Sequence, residues 1–193
     1  MSEAEEPKPY HHGTLRTFAI QIAIRHLRAG SISLPTVREL AAEIGVTHRA
    51  LYRHFADKDA LKAAVAGAGF EILCDAIESG SADQPPAPRD LMRRYIAFAI
   101  AEPGLYGLMF SLPASGLMQG PEPGEQVRRL IRLATTAFSA VRSSRGDLRD
   151  SVISAWGMSH GLVALWRGGA LRANSDAQVT DFILDRLSAS GLV

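Results

Sequence analysis

Two short stretches separated by a single glycine constrain the fold of this chain more than any other feature. The first begins at Thr36, and Glu39 follows three residues later, which is the capping-box pattern that starts an α-helix. Gly45 interrupts the apolar periodicity, and Thr47 is placed to cap a second short helix that extends to about His54. The sequence therefore predicts two short helices joined by a tight turn, which is a helix-turn-helix.

The second of these helices is expected to present polar side chains on one side. Val46, Leu51 and Phe55 lie at spacings that would hold it from the inside. The residues left facing outward all carry a hydrogen-bonding group, and they are Thr47, His48, Arg49, Tyr52, Arg53 and His54. Such groups can contact phosphates and base edges when a helix of this kind enters the major groove of DNA. The alternative is an ordinary helical hairpin whose outer face is basic.

Helical periodicity dominates the rest of the chain as well. No stretch alternates apolar and polar residues for long enough to predict a strand. We expect an all-α protein of about nine helices, over residues 14–29, 36–43, 47–54, 57–79, 88–102, 103–111, 123–144, 148–168 and 175–189. The segment 112–124 holds several prolines and glycines and predicts a long, mobile loop.

Charge is distributed unevenly along the chain, although the net charge is only +1. Between Lys8 and Lys62 there are nine lysines and arginines against four acidic residues, and five of the six histidines lie in or near the same region. This asymmetry indicates a basic head suited to phosphate and a body that is close to neutral. A merely solvated basic face is the alternative reading of the same charges.

Other classes of protein are disfavoured by composition. Cys74 is the only cysteine, which excludes a disulfide within the chain and a cysteine-rich metal site, and it is either a buried apolar group or a redox-sensing thiol. No apolar run approaches the roughly 20 residues that span a bilayer. Residues 1–10 are acidic and proline-rich rather than cationic and apolar, so we expect a cytoplasmic protein without a membrane partner.

The segment from Thr36 to Leu61 resembles the signature of the TetR family of bacterial regulators. Residues 10–16 are similar to the start of one subgroup, and residues 102–110 and 155–165 resemble the subgroup whose effector domain carries a Trp, His, Gly signature. The composition of the first residues predicts a flexible tail over residues 1–12. With the resemblance, we expect a three-helix DNA-binding domain over 13–58 and an effector-binding and dimerisation domain over 59–193.

The same resemblance implies roles at a double-stranded DNA operator. Thr47, Tyr52 and Lys58 would contact backbone phosphates, and Thr36 belongs to the same DNA-binding set. The chemistry of His48 and Arg49 makes them the candidates for base edges, and Arg53 could take either role. Because one recognition helix covers only a few base pairs, we expect a homodimer on a palindromic site.

The last two helices would form the dimer as a four-helix bundle, according to the resemblance. The residues expected at that interface are Val152, Ala155, Gly161, Leu162, Val179, Phe182, Ile183 and Leu187. The alternative is that these residues belong to the core of a single chain.

Large or adaptable side chains in the central helices suit a mostly apolar cavity for a small molecule. The expected effector contacts are Tyr95, Phe98, Tyr106, Met109, Phe110, Trp156 and His160. Trp156 and His160 are four residues apart and share a helix face. The alternative is that all seven side chains simply pack in the protein core.

These patterns lead to one functional hypothesis with alternatives. We expect a homodimeric repressor that an apolar or amphipathic small-molecule effector releases from its operator. A constitutive regulator or an activator without a ligand is the alternative, followed by a small helical enzyme. The enzyme reading is disfavoured because Ser159 and His160 point to different helix faces and no Gly-x-Ser-x-Gly motif occurs. No cofactor or metal ion is expected, since the histidines lack ligand spacing.

Overall fold

A computed structural model of the protein describes residues 12–31, 33–79, 85–113, 123–140 and 145–193. These residues form nine α-helices and, within the described ranges, no strand, which confirms the all-α prediction. The helices are α1 (His12–Arg28), α2 (Val37–Ile44), α3 (His48–Tyr52), α4 (Lys58–Glu78), α5 (Pro88–Ala101), α6 (Pro103–Ser111), α7 (Gly124–Ser139), α8 (Arg145–Arg167) and α9 (Asp176–Ala189).

The chain divides into two units, Met1–Val65 and Ala66–Val193, and α4 runs through the boundary between them. Helix α1 begins at His12, slightly earlier than expected, whereas α7 ends at Ser139, earlier than the expected residue 144. Residues 1–11 of the expected tail and residues 114–122 of the expected loop lie outside the described residues.

Local sequence chemistry determines where α2 begins and ends. The Thr36 hydroxyl accepts a hydrogen bond from the Glu39 backbone N–H at 3.2 Å, and the Glu39 carboxylate accepts one from the Thr36 backbone N–H at 2.6 Å. This confirms the capping box predicted from the sequence. Gly45 adopts the left-handed conformation with φ 78°, and the Val46 N–H reaches back to the Ala41 carbonyl at 2.9 Å. The helix therefore ends in a Schellman-type turn that leads directly into α3.

The first unit is held together by a small apolar core and one polar contact between helices. Leu40 on α2, Leu51 on α3 and Phe55 are almost completely buried. His26 on α1 lies 2.7 Å from the carboxylate of Glu43 on α2. These contacts hold α2 and α3 at the turn and leave the opposite side of α3 to solvent.

The second unit is a helical layer in which α5 packs against both α8 and α9, and α7 packs against α8. Its core contains Ile96 on α5 together with Ile183 and Leu187 on α9. Arg93 on α5 pairs with Asp181 on α9 at 2.9 Å. In the part of the chain described here, no helix combines the length and the apolar character needed to cross a membrane.

Candidate functional site

The outer side of α3 is polar and exposed. Thr47, His48, Arg49 and Arg53 are exposed, and Tyr52 is 41% exposed although it is aromatic. The aromatic rings of His48 and Tyr52 meet edge to face with centroids 6.3 Å apart. Leu51 and Phe55 are buried on the opposite side, so α3 presents a hydrogen-bonding face to solvent.

The threonine hydroxyls at the starts of α2 and α3 each cap a helix and keep their own O–H donor. Thr47 accepts a hydrogen bond from the Ala50 backbone N–H at 3.3 Å, and Thr36 caps α2 in the same way. Each threonine accepts through its oxygen, so its O–H can still donate to an external acceptor. Lys58 is exposed at the first position of α4, where the Asp57 carboxylate caps the helix by accepting from the Ala60 N–H at 2.7 Å.

Positive charge on this face is not cancelled by nearby acids. Arg49 and Arg53 make no ion pair with any residue that the structure describes. Glu43 is engaged by His26, and Asp59 pairs with Lys62 at 3.1 Å. His54 differs from its neighbours because it is half-buried, which corrects the expectation that it points outward.

A cavity of about 910 Å³ lies within the second unit, and its wall is almost entirely apolar. It is lined by Phe70 of α4, by residues of α5 and α6, and by the facing sides of α7 and α8. The described lining residues are Phe70, Leu91, Met92, Tyr95, Phe110, Val127, Leu130, Ile131, Ala134, Thr135, Phe138, Leu148, Arg149, Val152, Ile153 and Trp156. A cavity of this size accommodates a drug-sized molecule.

Three of the seven residues expected to contact an effector line this cavity, and four do not. Tyr95, Phe110 and Trp156 form part of the wall. The other four are Phe98, Tyr106, Met109 and His160. Phe98, Tyr106 and Met109 are buried and His160 is half-buried. The assignment of these four to the wall is therefore corrected, since none belongs to the described lining.

Four side chains connect the cavity wall to the interior through hydrogen bonds. The Trp156 indole N–H donates to the Tyr95 oxygen at 2.9 Å, the Tyr95 and Tyr106 hydroxyls lie 2.7 Å apart, and the Tyr106 hydroxyl lies 2.6 Å from His160 Nδ1. Burial raises the pKa of Tyr106 to about 12 and raises that of Tyr95 well above 10, while burial lowers the pKa of His160. Both phenols therefore keep their protons, and a neutral His160 accepts from Tyr106.

The sequence interpretation missed the contribution of α7 and α4 to the wall. Val127, Ile131 and Ala134 repeat at helical spacing on one side of α7, and Phe70 comes from α4. The amphipathic pattern of α7 was the available signal, since its apolar stripe faces the cavity rather than a closed core.

Cys74 is buried and its pKa is raised to about 11, mainly by burial, which favours an apolar packing role over a reactive thiol.

The outer face of α8 and α9 differs from the expected dimer interface. Ala155, Val179, Ile183 and Leu187 are fully buried within the chain, so they are core residues rather than surface residues, which corrects their assignment. Leu162 and Val152 are half-buried, and Val152 also lines the cavity. Gly161 is exposed and Phe182 is 42% exposed. Leu165, which the sequence interpretation did not select, is 49% exposed on α8.

Comparison with known proteins places both parts of the chain in one family. The family model described as "Bacterial regulatory proteins, tetR family" matches residues 23–65. The model described as "Tetracyclin repressor-like, C-terminal domain" matches residues 89–187. No curated protein matches the chain.

Solved structures resemble the chain over nearly its whole length. A protein of unknown function from Rhodococcus sp. RHA1 is 30% identical, with 95% of this chain and 98% of that chain covered and a TM-score of 0.71. A possible TetR family transcriptional regulator from Streptomyces coelicolor A3(2) is 20% identical, with coverages of 91% and 99% and a TM-score of 0.65. A transcriptional regulator of the TetR/AcrR family from Thermobifida fusca YX-ER1 is 16% identical, with coverages of 89% and 94% and a TM-score of 0.63.

The last two similarities concern the fold alone, whereas the two family models concern the sequence itself. The first family model covers the capped helix-turn-helix with its cationic outer face, and the second covers most of the helical second unit. The chain therefore belongs to the TetR family and is a DNA-binding transcription regulator rather than an enzyme.

Proposed function

We propose that the protein is a homodimeric repressor that leaves a palindromic operator when a small molecule fills the cavity of its second unit. The observation that carries this proposal is the cavity of about 910 Å³, whose wall includes Phe70 of α4. The same helix begins at Lys58, next to the helix-turn-helix. A ligand that displaces Phe70 would therefore act on the helix that continues into the DNA-binding unit.

On the DNA, the exposed face of α3 would enter the major groove. His48 and Arg49, at the start of α3, are the proposed base contacts, because an arginine can bond bidentately to guanine. Thr47, Tyr52 and Lys58 are the proposed phosphate contacts, since each offers a donor that has no acidic partner among the described residues. The proposed supporting contacts are Thr36 and Arg53.

The dimer would form through the outer face of α8 and α9. On α8, Gly157, Gly161 and the exposed Leu165 follow one another at four-residue spacing, and Phe182 is the exposed aromatic side chain of α9. An added Cβ at either glycine would meet no described atom within 4 Å apart from the backbone of its own helix, so a partner helix could approach closely there. The domain assignment of residues 13–58 to DNA binding and 59–193 to effector binding and dimerisation belongs to the same proposal.

Release from DNA requires that the ligand bind one conformation more tightly than the other. We propose that a filled cavity disfavours the DNA-bound conformation, and that the cavity wall of α4, α6 and α8 carries the change. An effector that binds the cavity with equal affinity in both conformations would leave repression unchanged.

The test is fluorescence anisotropy with a labelled duplex from the chain's own promoter region, titrated at several salt concentrations. The proposal predicts salt-dependent binding that Arg53→Ala weakens and that the matched control Arg172→Ala, an exposed arginine outside the first unit, leaves unchanged. Absence of salt-dependent binding to any duplex would contradict the proposal.

Effector release is tested with a cavity-filling variant. Ala134 lines the cavity, so Ala134→Trp should abolish ligand binding and the ligand's effect on DNA affinity together. Ala140→Trp, at an exposed position just after α7, is the matched control and should respond to ligand like the unaltered protein. A ligand that still releases DNA from Ala134→Trp would place the effector site elsewhere.

A further inference from the structure

The chemical class of the ligand can be inferred from the polar atoms of the cavity wall. Three described wall residues other than Arg149 carry hydrogen-bond donors, namely Trp156, Tyr95 and Thr135. Trp156 donates to Tyr95, the Tyr95 hydroxyl donates to the Tyr106 oxygen because the Tyr106 hydroxyl donates to His160, and the Thr135 hydroxyl donates to the Ile131 carbonyl at 2.8 Å. The donors of all three are committed to the protein, so they offer little to a bound molecule.

Arg149 is different from these residues. It is the single charged side chain among the wall residues that the structure describes, and it is exposed, which places it at the mouth of the cavity. It makes no ion pair or hydrogen bond with the described parts of the chain. Its side chain borders an otherwise apolar space, and its guanidinium carries five N–H donors that no described residue accepts.

The wall also lacks the opposite charge. No aspartate or glutamate belongs to its described lining, so a cationic ligand would lose hydration without gaining a partner. A wholly apolar ligand would fill the cavity but leave the guanidinium unused. A carboxylate matches the planar fork of an arginine and forms paired hydrogen bonds with it.

We propose that the ligand is an amphipathic carboxylate, with an apolar body inside the cavity and its carboxylate on Arg149 at the mouth. This inference rests on the proposed function only in assuming that the cavity holds the effector. It excludes alkylammonium compounds and assigns neutral apolar molecules a lower affinity.

The test compares three probes with the same apolar chain, decanoate, decanol and decylamine, by calorimetry at neutral pH and below their aggregation limits. Decanoate should bind about tenfold more tightly than decanol, with decylamine weakest, because a charge-assisted hydrogen bond at an exposed rim is worth about one factor of ten. Decanol binding as tightly as decanoate would overturn the proposal.

Substitution of Arg149 tests the assignment to this residue. Arg149→Gln should bring decanoate to the affinity of decanol while leaving decanol unchanged, and Arg149→Glu should make decylamine the tightest of the three. Arg172→Gln, a matched exposed arginine away from the wall, should preserve the order of the unaltered protein. A preference for decanoate that survives Arg149→Gln would overturn the proposal. Arg149 is exposed, so the variants are expected to fold, and thermal unfolding checks this.

DNA binding measured in the same samples separates the two proposals. If decanoate binds in an Arg149-dependent way without lowering DNA affinity, the ligand class stands and effector release fails. If a neutral molecule releases the DNA and decanoate fails to bind, effector release stands and the ligand class fails.

Discussion

The hydroxyl of Tyr106 on α6 lies 2.6 Å from Nδ1 of His160 on α8, and this contact joins the two helices behind the cavity wall. Burial keeps the proton on the phenol and keeps the imidazole neutral, so the phenol donates and Nδ1 accepts. Tyr95 lies on the other side of the same phenol, 2.7 Å away. Three helices, α5, α6 and α8, are thereby connected through one hydroxyl group.

Removal of this hydroxyl is expected to destabilise the protein. Tyr106→Phe leaves the buried Tyr95 hydroxyl without its acceptor and the half-buried His160 Nδ1 without its donor, which should lower the free energy of unfolding by about 1–3 kcal/mol. Urea denaturation measures the change. Tyr52→Phe, at an exposed position on α3, is the control and should stay within about 0.5 kcal/mol of the unaltered protein. Equal effects of the two substitutions would show that the hydroxyl of Tyr106 contributes nothing.

The lowered pKa of His160 predicts a loss of stability in mild acid. Above the ordinary pKa of 6.5, the imidazole is neutral in both the folded and the unfolded chain, so it adds no pH dependence. As the pH falls below 6.5, the unfolded chain takes up the proton first, and the free energy of unfolding falls until the pH passes the lowered pKa of the folded state.

This dependence is measured by urea denaturation at several pH values in the unaltered protein and in His160→Asn, whose side-chain oxygen can still accept from Tyr106. The other histidines are common to both proteins, so the difference between the two curves reports His160. Parallel curves through this range would contradict the prediction.

The boundaries of the helix-turn-helix could be predicted from the sequence because each depends on residues that are close in the chain. Thr36 and Glu39 satisfy each other's backbone groups within one helical turn. Gly45 ends α2 through its own left-handed conformation, and Thr47 caps α3 three residues before Ala50. None of these helix boundaries depends on a contact with a residue distant in the sequence.

For α8 and α9, the sequence could not show which apolar residues are buried in the chain and which are exposed. Ala155 and Ile183 are buried in the chain, whereas Phe182 and Leu165 are exposed, although all four are apolar residues on amphipathic helices. Helical spacing shows that a face is apolar but not which neighbour covers it. The core and the outer face of these helices are distinguished by the packing of their neighbours, of α5 against both helices and of α7 against α8.

The cavity was the feature that the sequence predicted least well, because its described wall residues come from five different helices. Phe110 and Trp156 were identified as large side chains in the central region, yet Met109, next to Phe110 in the chain, turns into the core. Neighbouring residues on a helix face different directions, and the direction of the cavity is set by tertiary packing.

Gly69 on α4 is a site where even a methyl group should be costly. A Cβ there would lie 2.7 Å from the sulfur of Met109 and 3.0 Å from Leu105, both buried on α6. Alanine improves helix propensity by up to about 1 kcal/mol, but overpacking costs about 1–3 kcal/mol. Gly69→Ala should therefore be less stable than Gly107→Ala, where the added Cβ meets no described atom within 4 Å outside the backbone of its own helix. Thermal or urea unfolding of both variants tests this, and a more stable Gly69→Ala would contradict it.

The exposed apolar face of α8 and α9 predicts the effect of a charge at Phe182. The ring is 42% exposed and is held under the Arg186 guanidinium, 5.6 Å from its centroid. If this face is the dimer interface, Phe182→Asp should weaken dimerisation by tenfold or more, on the order of 2 kcal/mol for an aromatic anchor. Sedimentation velocity measures the change, with Tyr52→Asp on the first unit as control. A dimer unchanged by Phe182→Asp would move the interface to another surface.

The final prediction separates base reading from phosphate contact on α3. Arg49→Ala should weaken binding to the cognate operator by about 1–3 kcal/mol and leave binding to random duplex DNA nearly unchanged, because a base contact contributes only where the base is correct. Lys58→Ala should instead weaken both by a similar amount and reduce the slope of log affinity against log salt by about one. Anisotropy titrations on both duplexes measure these effects. An equal loss on both sequences for Arg49→Ala would make Arg49 a phosphate contact, since a guanidinium that reads a base must distinguish the two.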